Sequence, residues 1–267
     1  MNIFAFELKA IRTSTILWVA ATLMLVSLYM SIYPAFAKDA DAFLELVKNI
    51  PQAMNHIMGA GVDTMLFSFL GFFANVFPFI TLIGAIQAAI LGFTVLSKEQ
   101  LAETTDFLLT KPVTRASIFW QKFLAGATAL AVTQLAVAVG AFLLASWFDA
   151  GDFDRGQFAM FWGAFAVIQF FMFTLCLFIS QVAKKIKATT PPAIGLSFGL
   201  FLFALFALVI GDDTVRWLTP FRFIDYQKII TEGTYDPAHI LYAAAIIIAF
   251  VVASNIIYTR KDVPAAV

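Results

Sequence analysis

The chain is poor in the residues that do chemistry in water. It has one cysteine, Cys176, and two histidines, His56 and His239, among 267 residues. A single thiol excludes an internal disulfide and any cysteine-built metal cluster. Two imidazoles leave little for acid–base or metal chemistry. Charge is scarce as well: Asp, Glu, Lys and Arg make up 13% of the chain, where an average soluble domain holds about 25%. Six windows hold none of the four at all: 13–37, 64–97, 123–148, 156–183, 188–211 and 237–259.

What fills those windows is apolar. Hydrophobic residues are 61% of the chain and aromatics 16%, and the mean hydropathy is +0.89. A soluble monomer of this size has nowhere to hide that much apolar surface. A helix needs about 20 mostly apolar residues to cross about 30 Å of hydrocarbon, and each window meets that length. The sequence predicts an all-α integral membrane protein with six transmembrane helices, near 14–37, 65–96, 120–148, 157–182, 190–211 and 238–259. Residues 1–267 then form a single transmembrane domain, with no space for a water-soluble nucleotide-binding unit. Energy must come from a partner or an ion gradient. The first window resembles a signal peptide at Ala35-Phe36-Ala37, but its apolar run exceeds a usual signal core and reads as the first span.

Six spans put both termini on one side, and the charges say which. If that side is the cytoplasm, inner segments carry 11 of the 17 basic residues: Lys9, Arg12, Lys98, Lys111, Arg115, Lys122, Lys184, Lys185, Lys187, Arg260 and Lys261. Outer segments keep 12 of the 17 acids. The Lys/Arg bias is the orienting term, so both termini are expected inside. Residues 1–12 place Phe4, Leu8 and Ile11 at helical spacing, with Glu7, Lys9 and Arg12 off that face, and read as a separate amphipathic interfacial helix. Pro78 allows a kink in the long second window, and Pro191-Pro192 suits a helix start. Residues 212–236, rich in aromatics, read as an outer re-entrant or interfacial segment.

Several constellations invite a chemical reading. Gly195-Leu-Ser197-Phe-Gly199 matches the nucleophile elbow of serine hydrolases, yet His239 lies at the other end of a different span. The same residues form a Gly-x-x-x-Gly packing surface, the reading preferred here, with an intramembrane serine hydrolase using Ser197 kept as an alternative. Met54, His56 and Met58 offer soft ligands for Cu(I), although their spacing does not suit one helical face. Within the six windows there is no Asp, Glu, Lys or Arg of the kind an ion-coupled carrier keeps, which leaves an ATP-independent carrier as the weaker alternative. The intramembrane amides Asn75, Gln87, Gln134 and Gln169 bond across helices or line a translocation path. Gly84, Ala88 and Gly92 form a second small-residue stripe.

The most specific stretch is residues 98–122, KEQLAETTDFLLTKPVTRASIFWQK. A link between two spans needs only a few residues, so 98–119 is set apart as a cytoplasmic coupling region. It resembles the first inner loop of the membrane subunits of type-2 ABC (ABC-2) exporters. That loop runs from acids through Gly-Thr, an acid, Leu-Leu and Pro-Val-Ser/Thr-Arg to a Lys. Matching residues are Glu99, Thr104, Asp106, Leu108, Leu109, Pro112, Val113, Thr114, Arg115 and Lys122, with Glu103 where the family often has glycine. Leu218-Thr219-Pro220-Phe221 with Asp225 resembles the family's outer Ser-Pro-Phe-type segment. The resemblance implies a permease subunit of an exporter in a bacterial cell membrane, without catalytic, cofactor or metal residues of its own. Its implied partners are ATP-binding-cassette ATPase subunits, which hold the ATP and Mg, and a second permease chain in a homo- or heterodimer. Nucleic acid is not among them. Glu99, Glu103, Thr104, Asp106, Leu108, Leu109, Pro112 and Arg115 would form the ATPase-coupling surface.

Overall fold

The computed structural model describes residues 2–38, 68–98, 113–148, 151–183, 187–210 and 213–260. Six long helices dominate them: α1 Ile3–Lys38, α2 Phe69–Val95, α3 Arg115–Trp147, α4 Arg155–Val182, α5 Thr190–Ile210 and, last in the chain, α7 Pro237–Arg260. Each contains a stretch long and apolar enough to cross a membrane, and each overlaps one charge-free window. Helix is the economical answer for such segments, because it satisfies every backbone N–H and C=O within itself when lipid offers no partner. Two short 3₁₀ turns, Asp213–Trp217 and Pro220–Arg222, and a two-turn helix α6, Tyr226–Glu232, lie between α5 and α7.

Local chemistry sets the ends. Ser68 Oγ accepts from Gly71 N at 3.0 Å, Thr114 Oγ1 from Ser117 N at 3.3 Å, and Asp154 Oδ1 from Gly156 N and Gln157 N at 2.7 and 3.0 Å. Each bond satisfies a donor that the first helical turn leaves open. Pro191 and Pro192 fall in the first turn of α5, and α6 stops at Gly233, whose φ of 62° suits glycine. Pro78 sits inside α2 without ending it.

Residues 3–12 are not a separate element. They are the first turns of α1, which runs unbroken into the span. No glycine or proline stands between Ile3 and Tyr33 to interrupt it. Its packed face also differs from the one expected: Phe4, Leu8 and Ile11 are half-buried, whereas Ile3 and Glu7 are buried.

The bundle is built around α2 and α4, the two most buried helices. One half of their seam is aromatic. Phe73 meets Phe158 and Phe77 meets Phe161, both with ring centroids 5.1 Å apart. The other half is a glycine approach. An added Cβ on Gly84 would lie 2.4 Å from the Phe165 ring, and one on Gly92 would lie 2.4 Å from the Phe173 carbonyl oxygen. Ala88 between them is fully buried. The stripe at Gly84, Ala88 and Gly92 therefore packs against α4, the two backbones nearly touching at Gly92. α1 lies on α3, where Leu23 fills the space above Gly140. α7 lies on α4 through stacked Phe178 and Phe250, 5.3 Å apart.

Ile3 N and Phe4 N donate to Gln121 Oε1, and the Tyr258 ring lies 6.0 Å from Phe119. The first turn of α1 and the last turn of α7 thus share one end of the bundle, the terminal face. The other end, the far face, carries residues 151–154 and 213–236. There Thr219 Oγ1 donates to Leu200 O at 3.0 Å, and Phe223 meets Phe171 at 5.2 Å. Leu200 is mid-helix in α5, so the far-face segment reaches well down the bundle.

Candidate functional site

The terminal face gathers the polar groups that the spans exclude. α2 ends at Val95, the chain passes Ser97 and Lys98 into residues 99–112, and α3 begins at Arg115 behind its Thr114 cap. Of the eight coupling residues expected from sequence, Glu99, Glu103, Thr104, Asp106, Leu108, Leu109 and Pro112 lie outside the described residues. Arg115 is described, as the first residue of α3.

Beside this junction is a buried ionic group that the helical-wheel reading missed. Glu7 is 4% exposed and Lys122 1% exposed. Glu7 Oε2 accepts from Lys98 Nζ, and Glu7 Oε1 pairs with Lys122 Nζ at 3.2 Å. Lys122 Nζ also donates to Val95 O at 3.1 Å, where the carbonyls at the end of α2 carry partial negative charge. Buried charges persist only when paired and hydrogen-bonded. The sequence held a signal of this: a lone acid in an apolar first segment, and a lone lysine two turns into the third span.

The four intramembrane amides do not form one group. Gln169 Nε2 donates to Gln87 Oε1 at 3.3 Å, and Gln87 Nε2 donates to Thr133 Oγ1 at 2.8 Å. The chain closes when Thr133 donates to Ala129 O at 3.0 Å. This relay links α4, α2 and α3, with both glutamines buried. Gln134 Nε2 donates to Trp162 O, a second α3–α4 bond. Asn75 bonds only its own helix, through Gly71 O at 2.8 Å. Such bonds are worth roughly 0.6–2 kcal/mol each in a membrane interior.

Ser197 is fully buried and donates to Ala193 O in its own helix at 2.8 Å. His239, the base that a hydrolase would need, belongs to the far face. Its Nδ1 donates to Asp236 Oδ2 at 2.9 Å and its ring stacks on Trp217 at 4.1 Å. No base therefore approaches Ser197 among the described residues. The flanking Gly195 and Gly199 have open space within 4 Å where a Cβ would stand, so their stripe packs on nothing among the described residues. Met54, His56 and Met58 lie outside the described residues.

Two far-face groups are tuned by their surroundings. Burial opposes ionisation of Asp236, but bonds from His239 and Ala238 N, and the charges of His239 and Lys228, hold its carboxyl below the ordinary value. Tyr235, whose hydroxyl donates to Met160 O at 2.6 Å, is pushed up to about 12 by burial. Among the described residues neither belongs to a metal-binding cluster, and both read as anchors of the far-face segment.

A family model described as "ABC-2 family transporter protein" matches residues 1–263. No curated protein matches the chain.

Proposed function

The chain belongs to the ABC-2 transporter family, and on that footing we propose that it is the permease subunit of an ATP-binding-cassette exporter driven by ATPases on separate chains. The observation that carries this reading is the family match over residues 1–263. Six membrane-length helices account for most of the described residues, which supports placing ATP hydrolysis elsewhere. Two ATPases, holding ATP and Mg, would dock on the terminal face through residues 98–119. The Lys/Arg bias supports a cytoplasmic terminal face, in a cell membrane of bacterial type. A second permease chain, the same or different, would complete the path. The amphipathic start of α1 would lie at the inner interface, and residues 212–236 would be the outer re-entrant segment, as their contact with mid-α5 supports.

For Gln87, Gln134 and Gln169 the bonding pattern favours a cohesive role over a translocation path, and Asn75 bonds only its own helix. The six windows without Asp, Glu, Lys or Arg suit lipophilic or amphipathic cargo. The self-bonded Ser197 gives the hydrolase reading no support.

The test is affinity purification of the tagged chain from its native host in mild detergent. The expected result is stoichiometric recovery of an ATP-binding-cassette ATPase, with hydrolysis by the complex and none by the chain alone. Hydrolysis by the isolated chain, or recovery without any such ATPase, contradicts the proposal.

A further inference from the structure

Glu7 is the one carboxylate among the described residues that is at least nine-tenths buried, and it stands where the chain leaves α2 for residues 99–112. Lys98, the last described residue before that connector, bonds one of its oxygens. Lys122, two turns into the helix that follows the connector, meets the other at 3.2 Å. The same Lys122 holds the last carbonyl of α2, Val95 O, at 3.1 Å. Next to it in sequence, Gln121 Oε1 caps α1 by accepting from Ile3 N and Phe4 N at 3.1 and 3.3 Å. The first two turns of α1 are thus bonded to both helices that flank the connector.

These bonds differ in kind from the rest of the α1 packing. Further along, α1 meets α3 through apolar contacts such as Leu23 over Gly140, which tolerate sliding. A carboxylate shared between two ammonium groups at a buried site does not. Separating them strips the buried Glu7 carboxylate of its two counter-charges away from water. A displacement of the connector's ends that moved Lys98 and Val95 would therefore carry Glu7, and α1 with it.

We infer that Glu7 is a positioning residue that passes displacement of Lys98 and Val95, at the end of α2, to the first span through the Glu7–Lys98–Lys122 group. The inference rests on the permease reading, since it needs a nucleotide-driven partner acting on the connector.

The experiment uses the complex of the full chain with its ATPase in lipid nanodiscs. Spin labels on cysteines replacing Lys9 and Lys187, both exposed, report the distance from α1 to the α4–α5 junction. Buried Cys176 is replaced by alanine. In the otherwise unsubstituted chain, ATP with vanadate is expected to shift that distance. In Glu7→Gln the shift is expected to be lost while the ATPase still co-purifies and hydrolyses ATP. Glu7→Gln takes the 3.2 Å carboxylate from buried Lys122, so Glu7→Gln/Lys122→Met, which removes both members of that pair, serves as the second variant. It too should lose the shift.

A shift of unsubstituted size in the double variant overturns the inference and leaves the permease reading intact. Failure of both variants to give a monodisperse complex makes Glu7 a folding element only, which also overturns it. A chain that recruits no ATPase, or shows no nucleotide-dependent shift before Glu7 is changed, sinks the coupling reading and this inference together.

Discussion

Glu7 and Lys122 show how little a single side chain's type says about its surroundings. Phe4, Leu8 and Ile11 define an apolar arc at helical spacing, and Glu7, three residues after Phe4 and four before Ile11, borders it, where a lone carboxylate is ordinarily left to water. The structure instead buries Glu7, because its partners Lys98 and Lys122 arrive from far along the chain. Their position around α1 is not written in local periodicity. The amides were legible for the opposite reason, since any polar residue in a charge-free window stands out. Which of them would meet was not, because depth along a helix can be counted while rotation about its axis cannot. The ionic group makes an ordered prediction. Removing Glu7 takes from buried Lys122 the carboxylate 3.2 Å away, and breaking a buried pair costs about 3–5 kcal/mol. Lys98 has a side chain 29% exposed, and losing it leaves Glu7 paired with Lys122. Glu7→Gln should therefore destabilise the purified chain by about 3 kcal/mol, and Lys98→Gln by under about 1 kcal/mol. Thermal unfolding in detergent, followed by tryptophan fluorescence, measures the order. Equal losses would contradict it.

At the scale of elements, the six spans were plain in the sequence. Twenty or more residues without charge admit few structures in lipid. The small-residue stripes were equally visible but not their orientation. Gly84, Ala88 and Gly92 turn inward against α4, while Gly195 and Gly199 turn outward with nothing among the described residues beside them. Both satisfy the same spacing, and only the packed bundle distinguishes them. The two should therefore respond differently to one methyl group. At Gly92 the added carbon would lie 2.4 Å from a backbone oxygen and 2.8 Å from the Cys176 Cβ, so the α2–α4 seam must open. Overpacking of that kind costs about 1–3 kcal/mol. Gly92→Ala is expected to lower the melting temperature and the yield of monodisperse protein, and Gly199→Ala to leave the melting temperature within error. A Gly92→Ala chain as stable as the parent would mean that the helices do not approach so closely. The start of α1 was misjudged for a related reason. The spacing of Phe4, Leu8 and Ile11 suggests an interfacial helix of its own, but nothing in the sequence breaks the helix where the span begins.

For the whole molecule, formal neutrality hides a polarised chain, with 17 basic and 17 acidic residues divided unevenly between the two faces. The account places the terminal face in the cytoplasm, so cysteines replacing Asp152 and Thr234 should react with an impermeant thiol reagent on intact cells. A cysteine replacing Lys187 should react only after permeabilisation. The reverse pattern would invert the topology. The central claim of the proposed function is that a separate ATPase drives this chain through residues 98–119. There the apolar anchor should outweigh the charges. Burying a leucine is worth about 1.5–3 kcal/mol, and an exposed ion pair about 0–1 kcal/mol. The most direct measurement is ATP hydrolysis by the reconstituted complex, with equal amounts of chain carrying Leu108→Asp or Arg115→Ala. The account predicts that Leu108→Asp releases the ATPase or reduces hydrolysis to that of the ATPase alone, with a smaller loss for Arg115→Ala. Hydrolysis and co-purification unchanged by Leu108→Asp would contradict it.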